Sequence, residues 1–236
     1  MTSPSFFSPH EGILPVNKPK TQTSFSLVHT LRRLTGIRTI GHAGTLDPFA
    51  DGVMVLLIGK RFTQLSNRFL NQDKEYLATL HLGIATDTYD IEGQMISKSP
   101  LIPTLAEIEE TLLKFQGSIL QTPPMFSAKK VDGKKLYELA RKGITIERLA
   151  VPVTLHIELI HYSYPHLTLK VQCSKGTYIR SLAYDIGIEL GCGAHLNALT
   201  RTRSGTLSLN ACCDGARLME SGYDWMQFLK TDMTCY

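Results

Sequence analysis

The chain has 236 residues, of which 43% are hydrophobic and 19% charged, a composition typical of a folded globular protein. Lys and Arg exceed Asp and Glu by four, a net charge that permits an anionic partner without requiring one. The longest apolar run, residues 53–58, is too short to span a bilayer, and the N-terminus lacks a secretory signal pattern. Five cysteines without a C-x-x-C pair favour reduced thiols in the cytoplasm over disulfides or a zinc site.

Apolar periodicity and turn residues predict a mixture of strands and helices along the chain. One helix is predicted to be capped by Ser24 and to end at Gly36, and another to begin with a capping box of Thr104 and Glu107. The predicted strands are residues 12–16, 53–58, 74–84, 151–160, 167–173 and 205–209, and the predicted helices are residues 24–35, 60–70, 104–115, 134–142 and 177–190.

Strands and helices that follow one another without regular β-α alternation predict an α+β fold, with a mixed, largely antiparallel central sheet flanked by helices. We expect three segments: a flexible leader at 1–11, a main domain at 12–210 and a short C-terminal extension at 211–236. No internal repeat or low-complexity segment interrupts the main domain.

The stretch GHAGTLDPFADGVMVLLIGK, residues 41–60, is the strongest candidate for chemistry. Its glycines allow tight turns, and Pro48 holds Asp47 in an extended conformation beside the apolar run. This pattern predicts a carboxylate fixed on a loop next to a buried strand, as catalytic groups often are. An ordinary Asp-Pro turn is the alternative, and the pattern alone does not decide between them.

Other candidate residues are weaker when each is taken alone. Tyr76 lies in an alternating strand pattern, where a core tyrosine is common, and a single His42 after glycine is usually structural. Clusters of basic residues favour either a solvated face or a nucleic-acid surface. Phosphate-binding P-loop, G-x-S-x-G and H-E-x-x-H motifs are absent, and the histidines show no metal-ligand spacing, so we expect no cofactor and no metal. The basic clusters comprise Arg32, Arg33, Arg38, Lys129, Lys130, Lys134, Lys135, Arg201 and Arg203.

Several separated motifs, in order, resemble those of the bacterial tRNA pseudouridine-55 synthases, over about residues 11–210. The loop at 41–60 resembles the signature loop of that family, although Ala43 stands where the family usually has Thr. NKPKTQTSF resembles the opening motif Asp-Lys-Pro-x-Gly-x-Thr-Ser, from which Asn17 and Thr21 depart. DKEYLATLHLGIATDTYDIEG, CSKGTYIRSLAYDIG and LGCGAHLNALTRTRSG resemble later motifs.

The resemblance implies roles for individual residues. Asp47 would be the indispensable catalytic aspartate, Tyr76 would lie against the target base, and Tyr178, Arg180 and Leu199 would complete the pocket. A guanidinium beside a carboxylate that is shielded from water favours its ionised form, so we expect Arg180 to pair with Asp47. His42 would fill the gap left by the flipped uridine, and Lys18, Lys129 and Lys130 would contact RNA.

The expected function is therefore isomerisation of uridine to pseudouridine in tRNA, at uridine 55 of the T-loop, by a monomer acting on the T-arm. The catalytic domain would be residues 12–210, and the segment after it is too short for the C-terminal PUA domain that the family usually carries. Two alternatives stay open. The chain could be a non-catalytic tRNA-binding or chaperone module, or a glycosidase that uses Asp47 and Asp51 as a carboxylate pair.

Overall fold

The computed structural model describes residues 9–127, 130–131, 133–140 and 143–232. The elements of the first half are β1 Gly12–Lys18, α1 Ser24–Thr35, β2 Ile40–Ala43, β3 Asp51–Ile58, α2 Lys60–Thr63, α3 Ser66–Leu70, β4 Lys74–Leu82, β5 Ile84–Thr86, β6 Met95–Lys98, α4 Leu105–Lys114 and β7 Gly117–Gln121. Those of the second half are β8 Lys130–Val131, β9 Lys134–Lys135, α5 Leu136–Ala140, β10 Val151–Ser163, β11 His166–Cys173, α6 Ile179–Glu189, β12 Ala194–Ser204, β13 Leu207–Ser208 and β14 Cys213–Asp214.

The chain forms two compact units. The first contains the residues up to Lys74 together with those from Thr200 onward, and the second contains Glu75–Leu199. The chain passes from one unit to the other within β4 and again within β12. Most strand pairs in each unit are antiparallel and helices accompany them, which confirms the predicted α+β class.

The first unit is built around β3. Strand β1 pairs antiparallel with β3 from Gly12–Ile58 to Lys18–Gly52. On its other side, β3 pairs antiparallel with β2 at its C-terminal half and parallel with the end of β12 at its first two residues. Residues 53–58 are completely buried, as the apolar run predicted. A strand bonded on both edges and buried on both faces is a rigid support for the loop that precedes it.

Helix α1 follows its predicted signals closely. Its N-cap is Thr23, whose hydroxyl accepts a hydrogen bond from the Ser26 amide, so the cap is one residue before the predicted Ser24. Gly36 ends the helix in the left-handed conformation with φ +71°, as predicted. The Ser24 hydroxyl, which does not cap the helix, is buried and bonds the main chain of Leu46.

In the second unit, β4, β11, β10 and β7 lie side by side in that order. The β10–β11 and β10–β7 pairs are antiparallel. Residues of β4 alternate between buried and more exposed positions, with Tyr76, Ala78, Leu80 and Leu82 on the buried face, as predicted. Helix α4 carries the predicted capping box of Thr104 and Glu107.

Three predicted elements differ clearly from the structure, and one long strand was missed. The predicted helix at 60–70 is two short helices, α2 and α3. The helix expected from 134 starts at Leu136, because Lys134–Lys135 form a hairpin with Lys130–Val131 around Gly133. The strand expected at 205–209 is only β13, whereas the long β12 before it was missed. Buried polar residues such as Arg201 and Ser204 hide the apolar alternation of β12.

Two predicted segments extend beyond the residues that the structure describes. Residues 1–8 of the predicted leader and residues 141–142 of the predicted helix lie outside the described ranges. Across the described ranges, no helix is long and apolar enough to cross a membrane. The four cysteines that the structure describes, Cys173, Cys192, Cys212 and Cys213, are free thiols.

The start of β3 depends on the absence of a side chain at Gly52. Its φ is +106°, and a Cβ atom there would collide with the main chain of Arg201. We expect Gly52→Ala to lower the free energy of unfolding by about 2–4 kcal/mol, since strain and collision combine. Gly222→Ala is the control, because Gly222 has φ +84° and open space around it, and it should cost about 1 kcal/mol. Equal losses in urea unfolding would show that the close approach to Arg201 is unimportant.

Candidate active site

Asp47 lies on the loop between β2 and β3 of the first unit. Its side chain is half-buried, whereas Leu46 just before it and Ala50 after it are buried. The Asp47 carbonyl accepts a hydrogen bond from the Ala50 amide at 3.2 Å, which closes a turn over Pro48. The predicted arrangement, a carboxylate on a tight loop beside a buried strand, is what the structure shows.

The main chain is held immediately on both sides of Asp47. The Ser24 hydroxyl donates to the Leu46 carbonyl and accepts from the Leu46 amide, both at 3.0 Å. The Pro48 carbonyl accepts from the Thr21 amide at 2.8 Å and from the Lys18 ammonium at 3.3 Å. The segment NKPKTQTS therefore acts as a clamp on the residues that flank Asp47.

Lys18 was expected to contact RNA, and the structure contradicts this. Its side chain is 0% exposed, and the ammonium donates to the carbonyl oxygens of Pro19 at 2.9 Å, Gln22 at 2.7 Å and Pro48 at 3.3 Å. An ammonium has three donors, and these three carbonyls can use all of them. A buried ammonium in this position orients the loop instead of reaching a phosphate.

Arg201 is the residue that the sequence analysis misjudged most, because it was grouped with surface cations. It is 1% exposed, and its guanidinium donates to the Val53 carbonyl at 2.6 Å and to the Gly44 carbonyl at 3.2 Å. Gly44 precedes Asp47 and Val53 follows it, so Arg201 links the chain on the two sides of the Asp47 loop. No periodicity signal could have found it, because a buried arginine in a strand looks like an exposed one in sequence.

His42 lies on β2, opposite Leu56 of β3. Burial lowers the pKa of His42, and the nearby positive charge of Arg201 lowers it further, so the ring is neutral at pH 7. Its Nδ1 atom is buried and makes no hydrogen bond to any residue that the structure describes. A neutral, flat ring beside the Asp47 loop is compatible with the stacking role that the resemblance implies, which stays a prediction.

In the second unit, Arg180 at the start of α6 is 7% exposed. Its guanidinium forms an ion pair with Asp90, with Nη1 3.3 Å from Oδ2, and donates to the Phe126 carbonyl at 2.8 Å. Asp90 is 3% exposed, and its Oδ1 accepts from the Thr88 hydroxyl at 2.6 Å and the Glu92 amide at 3.0 Å. Sequence reasoning treated this segment as a loop and missed Asp90. The expected pair of Arg180 with Asp47 stays a prediction, since the two residues belong to different units.

The remaining predicted residues of the second unit are placed by its strands and by α6. Tyr178 is the N-cap of α6, and Gln121 holds it by accepting from its amide at 2.8 Å and donating to its carbonyl at 3.0 Å. Tyr76 on β4 is 9% exposed and Leu199 on β12 is 5% exposed. Lys129 lies outside the described residues, and only the backbone of Lys130, in β8, is described.

The described ranges contain no group of three or more His, Cys, Asp or Glu residues placed to hold a metal ion. The chemistry that the described side chains offer is that of one half-buried carboxylate on a clamped loop and one buried arginine held by a second carboxylate. Both belong to loops or helix starts whose main chain is fixed by buried polar side chains.

Comparison with known families decides the assignment. The family model "TruB family pseudouridylate synthase (N terminal domain)" matches residues 32–179, more than half of the chain. The chain belongs to the TruB family of pseudouridine synthases. A second model, the tRNA pseudouridylate synthase B C-terminal domain, matches residues 180–232. The family activity makes the chain an isomerase.

Similar proteins agree with this assignment. A tRNA pseudouridine synthase B of Protochlamydia amoebophila is 61% identical over 208 residues, covering 88% of this chain and 79% of that protein. The protein of the same name from Chlamydia muridarum is 55% identical over 222 residues, covering 94% and 92%. A solved Cbf5-Nop10-Gar1 complex contains a chain with the same fold, at 24% identity and a TM-score of 0.72. The aligned region covers 98% of the present protein and 66% of the chain in that complex.

The clamp predicts a specific phenotype for Lys18. We expect Lys18→Met to lower the free energy of unfolding by about 1–3 kcal/mol, since it leaves buried carbonyls unpaired, and to slow turnover. It should leave the salt dependence of tRNA affinity unchanged, because no phosphate contact is lost.

Lys20→Met is the matched control for this change. Lys20 is 56% exposed and lies 3.9 Å from Asp51, so its removal should alter the free energy of unfolding by less than about 0.5 kcal/mol. If Lys18→Met folds as well as wild type but reduces the slope of log affinity against log salt by about one, Lys18 contacts RNA after all.

Proposed function

We propose that this chain converts uridine 55 in the T-loop of tRNA to pseudouridine, with Asp47 as the catalytic carboxylate. Membership of the family supports uridine isomerisation in tRNA, and the resemblance of residues 41–60 to the signature loop supports position 55. The observation that carries the catalytic role is the clamp on Leu46 and Pro48, which fixes the backbone of Asp47 while its side chain stays half-exposed.

The reaction breaks the bond between N1 of uracil and C1′ of ribose, turns the base and joins C5 to C1′. C5 loses its proton and N1 gains one, so the composition of the nucleotide is unchanged and no cofactor is required. Asp47 can attack C1′, attack C6 of the base, or remove the C2′ proton on the way to a glycal. Every route requires a carboxylate in a fixed position beside one nucleotide, and the clamp on the Asp47 loop supports this requirement.

The other residues are proposed to act on the flipped nucleotide. Tyr76 would lie against the uracil, where stacking contributes about 1–3 kcal/mol per base, and Tyr178 and Leu199 would enclose it. Arg180 would stabilise the ionised form of Asp47, with Asp90 fixing its guanidinium. His42 would occupy the space that the uridine leaves in the RNA stack.

The proposed partner is the T-arm of tRNA, bound by a cytoplasmic monomer. Phosphate contacts would come from exposed basic residues such as Arg33, Arg38 and Lys60 and from the predicted Lys129 and Lys130. The catalytic domain is proposed to end near residue 210, with residues 211–236 as an extension.

Asp47→Asn tests the catalytic role directly. We expect it to keep the fold and to bind tRNA with unchanged affinity, but to lower turnover by more than about 1,000-fold. Tritium release from labelled uridine in tRNA measures turnover, and a tRNA with cytidine at position 55 tests the target. Asp51→Asn is the matched control, since Asp51 is the first residue of β3, directly after the Asp47 loop, but pairs with Lys20, and it should retain activity.

The outcomes of that experiment separate the alternatives. Free uracil in the product would favour a glycosidase, in which case Asp51→Asn should also be inactive. Wild-type binding without any pseudouridine would favour a non-catalytic tRNA-binding module. Full activity on the cytidine-55 tRNA would remove uridine 55 as the target while leaving the isomerase assignment in place.

Tyr76→Phe and Tyr76→Leu separate the hydroxyl of Tyr76 from its ring. We expect Tyr76→Phe to lower kcat much more than tRNA affinity, because the hydroxyl takes part in proton transfer. Tyr76→Leu should lose kcat to at least the same extent and also weaken tRNA binding by roughly tenfold, as expected for a lost base stack. Single-turnover kinetics and filter binding measure the two effects. A Tyr76→Phe variant with wild-type kcat would limit the residue to stacking.

A further inference from the structure

Tyr89 has a backbone conformation that residues with a side chain rarely adopt. Its φ is +66°, in the left-handed region, where Cβ crowds the following carbonyl oxygen. Residues are held in this region when surrounding contacts require it, and such positions concentrate at active sites. Tyr89 immediately precedes Asp90, whose carboxylate pairs with Arg180.

The ring of Tyr89 is held by a neighbouring aromatic ring. It stacks on Tyr184 with ring centroids 4.0 Å apart and an interplanar angle of 22°. Burial, the largest cause, raises the pKa of Tyr89, and the nearby positive charge of Arg148 opposes that effect. The phenol is therefore uncharged at neutral pH.

Tyr184, on which the Tyr89 ring stacks, belongs to α6, the helix that also carries Arg180. Arg180 and Tyr184 are four residues apart on α6, and residues at this spacing lie on one helix face. Two consecutive loop residues, Tyr89 and Asp90, therefore contact two neighbouring positions of the same face. The stack of Tyr89 on Tyr184 orients the turn, and in that orientation the Asp90 carboxylate reaches Arg180.

The main chain of the turn is also anchored, to β5 through Thr86 and to β12 through Leu196. The Tyr89 amide donates to the Thr86 carbonyl at 3.2 Å, and the Leu196 amide of β12 donates to the Tyr89 carbonyl at 2.9 Å. The Ile91 amide donates to the Leu196 carbonyl at 3.0 Å. These bonds hold the turn against β12, and the side chains of Tyr184 and Arg180 join it to α6.

We propose that Tyr89 is a positioning residue for the reaction: its ring, stacked on Tyr184, maintains the left-handed turn that keeps the Asp90 carboxylate against Arg180. The role rests on the proposed function in so far as Arg180 acts in catalysis. It is distinct from base stacking, because the partner of the Tyr89 ring is another side chain of the protein.

The test uses the full chain with tRNA and three substitutions. Tyr89→Ala removes the ring and keeps the unfavourable φ, and Tyr89→Gly removes both. Tyr89→Phe keeps the stack and loses only the hydroxyl. We expect kcat to fall at least tenfold in the Ala and Gly variants, with KM changed less than threefold, and to remain within threefold of wild type in the Phe variant.

Tyr162→Phe is the control, since it removes a part-buried phenol hydrogen bond of the same unit, to the Pro103 carbonyl at 2.5 Å, and should leave kcat unchanged. A crystal structure of Tyr89→Gly supplies a measurement that does not depend on activity. We expect the distance between Arg180 Nη1 and Asp90 Oδ2, 3.3 Å in the wild type, to exceed about 4 Å, the limit of an ion pair.

The inference is overturned if the Gly variant keeps wild-type kcat, or if its ion pair is unchanged. A rise in KM without a fall in kcat would also overturn it, because it would place Tyr89 in tRNA binding. If the wild type makes pseudouridine at another uridine, the target proposed above is wrong and the comparison of kcat values still applies. If the wild type is inactive, the proposed function fails and the ion-pair distance alone decides the role of Tyr89.

Discussion

Hydrogen bonds from buried polar side chains to loop carbonyls are the interaction on which the Asp47 loop depends. A loop between strands leaves carbonyl groups without ladder partners, and each such group must be paired if it is buried. Lys18, Ser24 and Arg201 supply these partners on either side of Asp47. Hydrogen bonds from charged donors contribute about 1.5–3 kcal/mol each, whereas an unpaired buried cation costs several kcal/mol. The loop and the cations therefore stabilise each other only in one arrangement.

The second unit has the same interaction at Arg180, the residue proposed to act with Asp47. The Arg180 guanidinium bonds the carbonyl of Phe126 and approaches that of Thr88 at 3.4 Å, in addition to its ion pair with Asp90. Arginine suits this task because its donors lie in a rigid plane and its charge is permanent. Arg201 and Arg180 thus act by the same physical principle: each guanidinium fixes irregular backbone by donating hydrogen bonds to its carbonyl groups.

The sequence predicted what depends on local pattern. The alternation of β4, the capping box of α4 and the glycine that ends α1 are local signals, and the structure confirms all three. The burial of Lys18 and Arg201 depends on residues that are 30 or more positions away, such as Pro48, Gly44 and Val53. No local pattern distinguishes a lysine that bonds carbonyls from one that faces solvent. The same reason explains why β12 and Asp90 were missed.

Strained backbone conformations occur next to these long-range contacts. Within the described residues, Thr21 and Tyr89 are the two non-glycine residues with positive φ, at +69° and +66°. Each such conformation costs about 1–2 kcal/mol. The Thr21 amide bonds the carbonyl next to Asp47, and Tyr89 precedes Asp90. In the opening motif that this chain resembles, glycine stands at the position of Thr21, where φ +69° would carry little cost. The hydrogen bond from the Thr21 amide to the Pro48 carbonyl ties the left-handed conformation of the threonine to the clamp, so the fold accepts strain next to the two sets of side chains proposed to act in catalysis.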